Sequence, residues 1–379
     1  VRVALFTETF VPSVNGVVTR LTQSVRHLAR RGDKVMVFAP GHPDCIVEGA
    51  ELVPVSGFAL PLYREIKVAV PRPAVGRALH RFRPDLIHVV NPAMLGLAGI
   101  YYARSLGVPL VASFHTHLPR YLHYYGLGIL ENVAWELLRA AHNKADLNLC
   151  ISHETARDLV SHGVERVSVG WRGGVDTDRF HPDTRRPDVR AALSGGHPEA
   201  PLLLYVGRLG AEKGVERLRA PLEAIPGARL ALVGDGPHRQ ALEQHFAGTR
   251  THFAGSLRGS DLAAAFSSAD LFVFPSQTDT LGLVLLEAMA SGCPVVAAAA
   301  GGITDLVADG STGLLFDPEQ DANLVECVRR LLRQGPERAE IRANGRRLAE
   351  RMSWAAATDD LRGHYAEVLK AAGAAASAA

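Results

Sequence analysis

Two cations five residues apart, Arg208 and Lys213, stand in the segment Gly207-Arg208-Leu209-Gly210-Ala211-Glu212-Lys213-Gly214. Its glycines bound a loop that follows the apolar run 202–206 and enters a helical pattern. Such a loop can grip a diphosphate from two sides, and the helix start adds backbone N–H donors for an anion. Read alone, the segment also fits a surface turn with incidental charges. Two acids eight residues apart, Asp279 and Glu287, bracket the turn Thr280-Leu281-Gly282 and the following helix. Asp279 can accept from sugar hydroxyls in the loop, and Glu287 can accept from both hydroxyls of a ribose. The neighbours of Glu287 (Leu285, Leu286, Ala288 and Met289) are apolar, so an unpaired carboxylate there is costly. That favours a ligand role for Glu287 over a helix-surface acid.

The N-terminal half offers less definite chemistry. Gly16 joins the first strand to the first helix, where a glycine lets a phosphate approach the backbone closely. His115 and His117 follow a strand at 109–113, a position that favours an active-site role for His115 over a structural one. Three further matches are weak. Gly234-Asp235-Gly236-Pro237-His238-Arg239 has Arg where a dinucleotide fingerprint needs its third glycine. Asp176-Thr177-Asp178 supplies only two acids for a metal, and the two histidines lack a third ligand for zinc. No metal and no cofactor is expected.

The elements that position these residues show in the hydropathy pattern. Apolar runs at 2–6, 34–39, 86–90, 109–113 and 146–151 alternate with helical stretches; in 18–31, Val18, Leu21, Val25 and Leu28 form a stripe that stops at Gly32. The pattern breaks around 170–198 and restarts with strands at 202–206, 229–233, 251–253, 271–274 and 294–297. Apolar strands alternating with helices indicate parallel sheets covered on both faces. The expected organisation is therefore α/β, two doubly wound domains at 1–175 and 176–353, with a helix from 354 packing back on the first. Ligands of such sheets sit beyond the strand C-termini, where the motifs lie.

With 379 residues, 47% hydrophobic and 21% charged, the chain can bury two cores. It opens directly on a strand, so residues ahead of Val1 are expected. No signal-peptide pattern is visible, and no apolar stretch reaches the ~20 residues of a bilayer span. Four scattered cysteines without CxxC spacing fit a reducing compartment. Residues 60–120 carry eight basic side chains against Glu65 and Asp85, which reads either as a solvated face or as attraction to an anionic surface. Basic and aromatic residues are not interleaved in any nucleic-acid motif, which argues against that partner.

Taken together, the motifs resemble the retaining glycosyltransferases of family four, over essentially the whole chain. The resemblance rests on Asn15-Gly16-Val17, Phe114-His115, Gly174-Val175-Asp176 before Phe180, Gly207-Arg208 with Glu212-Lys213-Gly214, and the acid pair ending in Glu287. It implies the GT-B fold, two Rossmann-like domains facing a central cleft, with acceptor on the N-terminal side and nucleotide sugar on the C-terminal side. It implies that Arg208 and Lys213 hold the diphosphate, Glu287 the ribose, Asp279 with Thr280, Leu281 and Gly282 the sugar, Gly16 a phosphate, and His115 the sugar's surroundings.

Within that family, Phe6-Thr7-Glu8-Thr9-Phe10, Leu60-Pro61-Leu62-Tyr63, His88-Val89-Val90-Asn91-Pro92-Ala93 and Phe114-His115-Thr116-His117-Leu118-Pro119 resemble the sulfolipid synthases. That implies a UDP-sulfoquinovose donor, a diacylglycerol acceptor, and a cytoplasmic location peripheral to a plasma or thylakoid membrane. Tyr63, Arg64, Lys67, His117, Arg120 and Tyr121 are the candidates for the sulfonate or acceptor, and the aromatic-rich stretch 121–138 for lipid contact. Asp279 departs from the family's usual Glu, and Trp171-Arg172-Gly173-Gly174 carries an extra glycine. The alternatives are a glucosyl- or mannosyl-lipid synthase of the same family, a nucleotide-sugar epimerase, or a non-catalytic binding module.

Overall fold

A computed structural model describes residues 1–11, 16–40, 47–59, 67–69, 73–115, 117, 119, 128–279 and 281–378. The chain divides into two compact units, Val1–Gly173 with Trp354–Ala379, and Gly174–Ser353.

In the first unit the strands are β1 (Arg2–Thr7), β2 (Lys34–Pro40), β3 (Ala50–Val55), a short antiparallel pair β4 (Gly57–Ala59) and β5 (Lys67–Ala69), then β6 (Leu86–Val90), β7 (Leu110–Phe114), β8 (Leu147–Cys150) and β9 (Val167–Val169). The main sheet is parallel, ordered β3-β2-β1-β6-β7-β8-β9. Its central strands β6 and β7 are buried at every residue, as a sheet covered on both faces requires. Helix Gly16–Arg30 lays Leu21, Val25 and Leu28 onto β1 and β2. Gly32, at φ +84°, ends that stretch in the left-handed conformation that glycine adopts without a Cβ penalty.

The long helix Trp354–Ala378 belongs to this unit. It places Leu361, Tyr365 and Val368 in the same core as Leu21, Val25 and Trp171. Polar bonds fix its seat: Trp171 N donates to Asp360 Oδ2 at 2.6 Å, and Arg362 pairs with Asp33 at 2.7 Å.

The second unit holds β10 (Leu202–Val206), β11 (Arg229–Val233), β12 (Thr251–Gly255), β13 (Leu271–Phe274), β14 (Val295–Ala298) and β15 (Leu314–Phe316), all parallel, ordered β12-β11-β10-β13-β14-β15. The order reverses between β10 and β13, and in the first unit between β1 and β6. Loops leaving those strands open at the point where such sheets bind ligands.

In the two parallel sheets, the strands that the hydropathy pattern does not mark, β3, β9 and β15, all lie at sheet edges. β3 is half-exposed and carries Glu51 and Pro54; β9 and β15 are three residues each. An edge strand covered on fewer sides needs no continuous apolar run.

Candidate active site

The loop after β10 carries Arg208 and Lys213. Tyr205, buried on β10, donates from its hydroxyl to the Arg208 carbonyl at 3.0 Å and holds the loop onto its own strand. Residues Ala211–Lys213 form a single 3-10 turn, closed by Gly214 at φ +60°. The turn buries Glu212 completely, and the Glu212 carboxylate takes the Arg208 guanidinium in an ion pair. Glu212 Oε2 has no hydrogen-bond partner among the described residues. Glu212 thus aims Arg208, a role that sequence pattern did not single out.

Lys213 turns to the loop after β13. Its ammonium donates to both Asp279 carboxylate oxygens, at 2.9 and 2.8 Å. Two residues expected to hold different parts of a donor therefore hold each other here. Thr278 Oγ1 donates to the Glu212 carbonyl at 3.4 Å, a second tie between the two loops. The main chain at Asp279 is seated on the turn after β14: Gly302 N donates to the Asp279 carbonyl at 3.1 Å. Gly301, at φ +61°, has no room for a side chain, since a Cβ there would lie 2.5 Å from that carbonyl oxygen. Gly301 and Gly302 belong to the site's frame, and no spacing signal revealed them.

Gly234 and Gly236, the weak dinucleotide match, explain themselves the same way. A Cβ on Gly234 would meet the Gly207 carbonyl oxygen at 1.9 Å, and one on Gly236 the Leu209 oxygen at 2.4 Å. These glycines let the turn after β11 lie against the Arg208 loop.

Thr280 lies outside the described residues. Leu281 is buried, and Gly282, at φ +69°, starts helix Leu283–Ala290. Glu287, one turn in, is half-buried beside Leu286 and Ala288, and its carboxylate has no hydrogen-bond partner among the described residues. Burial pushes its pKa up to about 8, against a weaker opposing pull from Arg179. An accessible acceptor in an apolar setting suits paired hydroxyl donors. Asp176 is engaged locally: its carboxylate accepts from Arg179 N at 3.1 Å and faces the guanidinium at 3.6 Å.

In the first unit, Gly16 is exposed at the start of helix Gly16–Arg30. Glu8, after β1, is buried with Oε1 accepting from Leu95 N at 2.6 Å and Gly96 N at 3.0 Å. Burial pushes its pKa up to about 7, with those two N–H groups acting against the rise. His115 is buried, with ring nitrogens engaged on both sides: Arg20 Nη1 donates to Nδ1 at 2.7 Å, and Nε2 faces Ser113 Oγ at 2.9 Å. Asn91 Oδ1 accepts from the His115 backbone N at 2.7 Å. Burial, then the Arg20 charge, hold His115 well below the usual histidine range. His115 is a neutral, fixed imidazole.

His117 is buried with Nε2 on Asp158 Oδ2 at 2.5 Å and its ring edge on Trp135. Its Nδ1 is buried without a hydrogen-bond partner among the described residues. Lys67 lies on β5. Tyr63, Arg64, Arg120 and Tyr121 lie outside the described residues.

Comparison with known proteins names the family. The model for glycosyltransferase family 4 matches residues 14–179, and that for group 1 glycosyl transferases matches residues 194–348. The chain belongs to glycosyltransferase family 4. This glycosyltransferase is 38% identical to sulfoquinovosyl transferase SQD2 of Arabidopsis thaliana, over 95% of its own length and 72% of the relative's. It is 39% identical to a GDP-mannose-dependent alpha-mannosyltransferase of Mycolicibacterium smegmatis, over 97% and 98%. Its fold is that of sucrose-phosphate synthase from Thermosynechococcus elongatus, with TM-score 0.82 at 24% identity, covering 98% of this chain and 99% of that one. HepE of Anabaena, solved with UDP-glucose, gives 0.77 at 21% identity, covering 97% and 99%. The glycosyltransferase is thus an enzyme of GT-B fold with two Rossmann-like domains.

Proposed function

We propose that this glycosyltransferase moves sulfoquinovose from UDP-sulfoquinovose to diacylglycerol with retention of configuration. The observation that carries the proposal is the 38% identity to a sulfoquinovosyl transferase across nearly the whole chain. In this reading Arg208 and Lys213 bind the diphosphate and neutralise charge as the glycosidic C–O bond breaks. Glu287 accepts from the ribose hydroxyls. Asp279, with Thr280, Leu281 and Gly282, accompanies the sugar, leaving Lys213 as the diphosphate arrives. Gly16 offers its N–H to a phosphate. His115, with both ring nitrogens engaged, acts by holding its neighbours rather than by direct contact. The acceptor hydroxyl attacks on the face the nucleotide leaves, and the departing phosphate oxygen takes its proton. Tyr63, Arg64, Lys67, His117, Arg120 and Tyr121 remain the candidates for sulfonate or acceptor.

The acceptor requires an approach to a bilayer surface. Ile129 and Leu137 are 89% and 68% exposed, and Leu130 and Val133 share their face of the helical stretch 128–142. An exposed apolar stripe of this kind suits peripheral contact with the cytoplasmic face of an anionic membrane. No helix among the described residues is long and apolar enough to cross one.

A second reading, mannosyl transfer from GDP-mannose, is favoured by the mannosyltransferase matched over 98% of its own length. A panel of UDP-sulfoquinovose, UDP-glucose and GDP-mannose with diacylglycerol and phosphatidylinositol, read by lipid mass spectrometry, separates them. A sulfonated diacylglycerol product is expected; a mannosylated inositol lipid alone refutes the donor assignment.

A further inference from the structure

Arg20 is a buried cation that no carboxylate neutralises among the described residues. Its side chain is 3% exposed. Among the described residues its one hydrogen bond runs from Nη1 to His115 Nδ1, its Nε has no partner, and no carboxylate pairs with it. The Trp171 ring lies 5.8 Å from the guanidinium carbon. Burial lowers its pKa to about 10, which leaves it charged at neutral pH. An isolated buried charge is among the most costly groups a protein can hold.

Arg190, in the other unit, is a buried arginine whose donors and charge the fold does satisfy. Arg190 donates to the carbonyls of Pro198 at 2.5 Å, Ser268 at 2.6 Å and Ala200 at 2.9 Å, and pairs with Asp270 at 2.8 Å. Arg20 has no such set.

The surroundings hold Arg20 in place instead of neutralising it. A guanidinium has no acceptor, so His115 Nδ1 must accept and Nε2 must carry the ring proton. Nε2 then donates to Ser113 Oγ, Ser113 donates to His88 Nε2 at 2.9 Å, and His88 Nδ1 donates to the Tyr365 oxygen at 2.7 Å. Residues from β6, β7 and the helix Trp354–Ala378 thus fix one tautomer behind one side of the guanidinium. Long helical side chains lean toward their helix's N-terminus, so Arg20 points to the first turn of Gly16–Arg30. It does so at the C-terminal end of β7, where ligands of parallel sheets bind and the helix start favours anions.

We propose that Arg20 is the cation of an oxyanion site in the first unit, taking a phosphate or sulfonate oxygen of the nucleotide-sugar donor. The missing counter-charge arrives with the substrate. This deepens the proposed function and rests on its donor. The two sources of a tetrahedral oxyanion are separable by titrating UDP, UDP-glucose and UDP-sulfoquinovose into wild-type enzyme, Arg20→Met and Arg20→Lys, with kcat and KM measured alongside. If Arg20 holds the diphosphate, Arg20→Met weakens all three ligands by ~10-fold or more. If it holds the sulfonate, only UDP-sulfoquinovose weakens, and UDP keeps its wild-type affinity. Arg20→Lys recovers part of either loss, since it keeps the charge without the fork. Wild-type affinities and kcat/KM for all ligands in a folded Arg20→Met enzyme overturn the proposal. Should the variants not fold, the crystal structure of the wild-type enzyme with UDP-sulfoquinovose decides. A phosphate or sulfonate oxygen within hydrogen-bond distance of Arg20 supports the site, and its absence there removes it. If the panel returns another donor, the titrations run with that nucleotide sugar, so the fate of the sulfoquinovose assignment stays distinct from that of Arg20.

Discussion

At the scale of single residues, Arg208 and Lys213 are each held by a carboxylate, Glu212 and Asp279 in turn. Arg208→Ala and Lys213→Ala are each expected to reduce turnover by ~100-fold or more, since each removes a cation from the developing diphosphate charge. Steady-state kinetics check this, and a near-wild-type rate in either variant contradicts the assigned roles. Glu287 gives a prediction in pH. Its carboxyl titrates at about 8, above the ordinary 4.5, so in the empty protein it is neutral at pH 7. Because the folded form holds the proton more tightly, its contribution to stability is full below about 4.5 and fades as pH rises through 8. Ribose hydroxyls favour the charged carboxylate, so nucleotide binding expels a proton. UDP affinity should therefore rise with pH up to about 8 and then level off. Calorimetry in buffers of different ionisation heat reads the released proton, and Glu287→Gln should lose the pH dependence. The two cations and two acids of this site show in the sequence spacing, but the bond of Lys213 to Asp279 does not. Those two side chains are 66 positions apart, and only the adjacency of β10 and β13 makes them neighbours.

At the scale of elements, the site depends on how closely successive turns approach. Gly301→Ala is expected to lower kcat/KM by ~10-fold or more. Its positive φ costs about 1–2 kcal/mol for a residue with a side chain, and the new Cβ displaces the Asp279 carbonyl. A melting curve beside the kinetics separates the two effects; unchanged kcat/KM would show that the Asp279 loop does not need this seat. The interior strands were readable because both their faces are covered, which forces runs such as Leu-Leu-Leu-Tyr-Val in β10. The edge strands were hidden because partial cover allows Glu51 and Pro54 into β3. His117 shows a limit of another kind: no spacing signal tells that Asp158, on a later helix, takes one nitrogen of its ring.

At the scale of the molecule, membrane contact is the testable property. Replacing Ile129 and Leu137 together by Ser is expected to weaken flotation with anionic lipid vesicles several-fold, while turnover of a detergent-dispersed acceptor holds. Undiminished vesicle binding would move the contact elsewhere. Helix Trp354–Ala378 bears on how the protein comes into being. The first unit is interrupted in sequence, since Leu361, Tyr365 and Val368 complete a core begun by Leu21 and Val25. During synthesis, the ribosome makes all of Gly174–Ser353 before it makes that helix. The second unit, continuous in the chain, can therefore close its core while the first still waits with Trp171 uncovered and His88 lacking its tyrosine partner. The first unit thus begins synthesis first and completes its core last, which leaves its apolar surface uncovered longest.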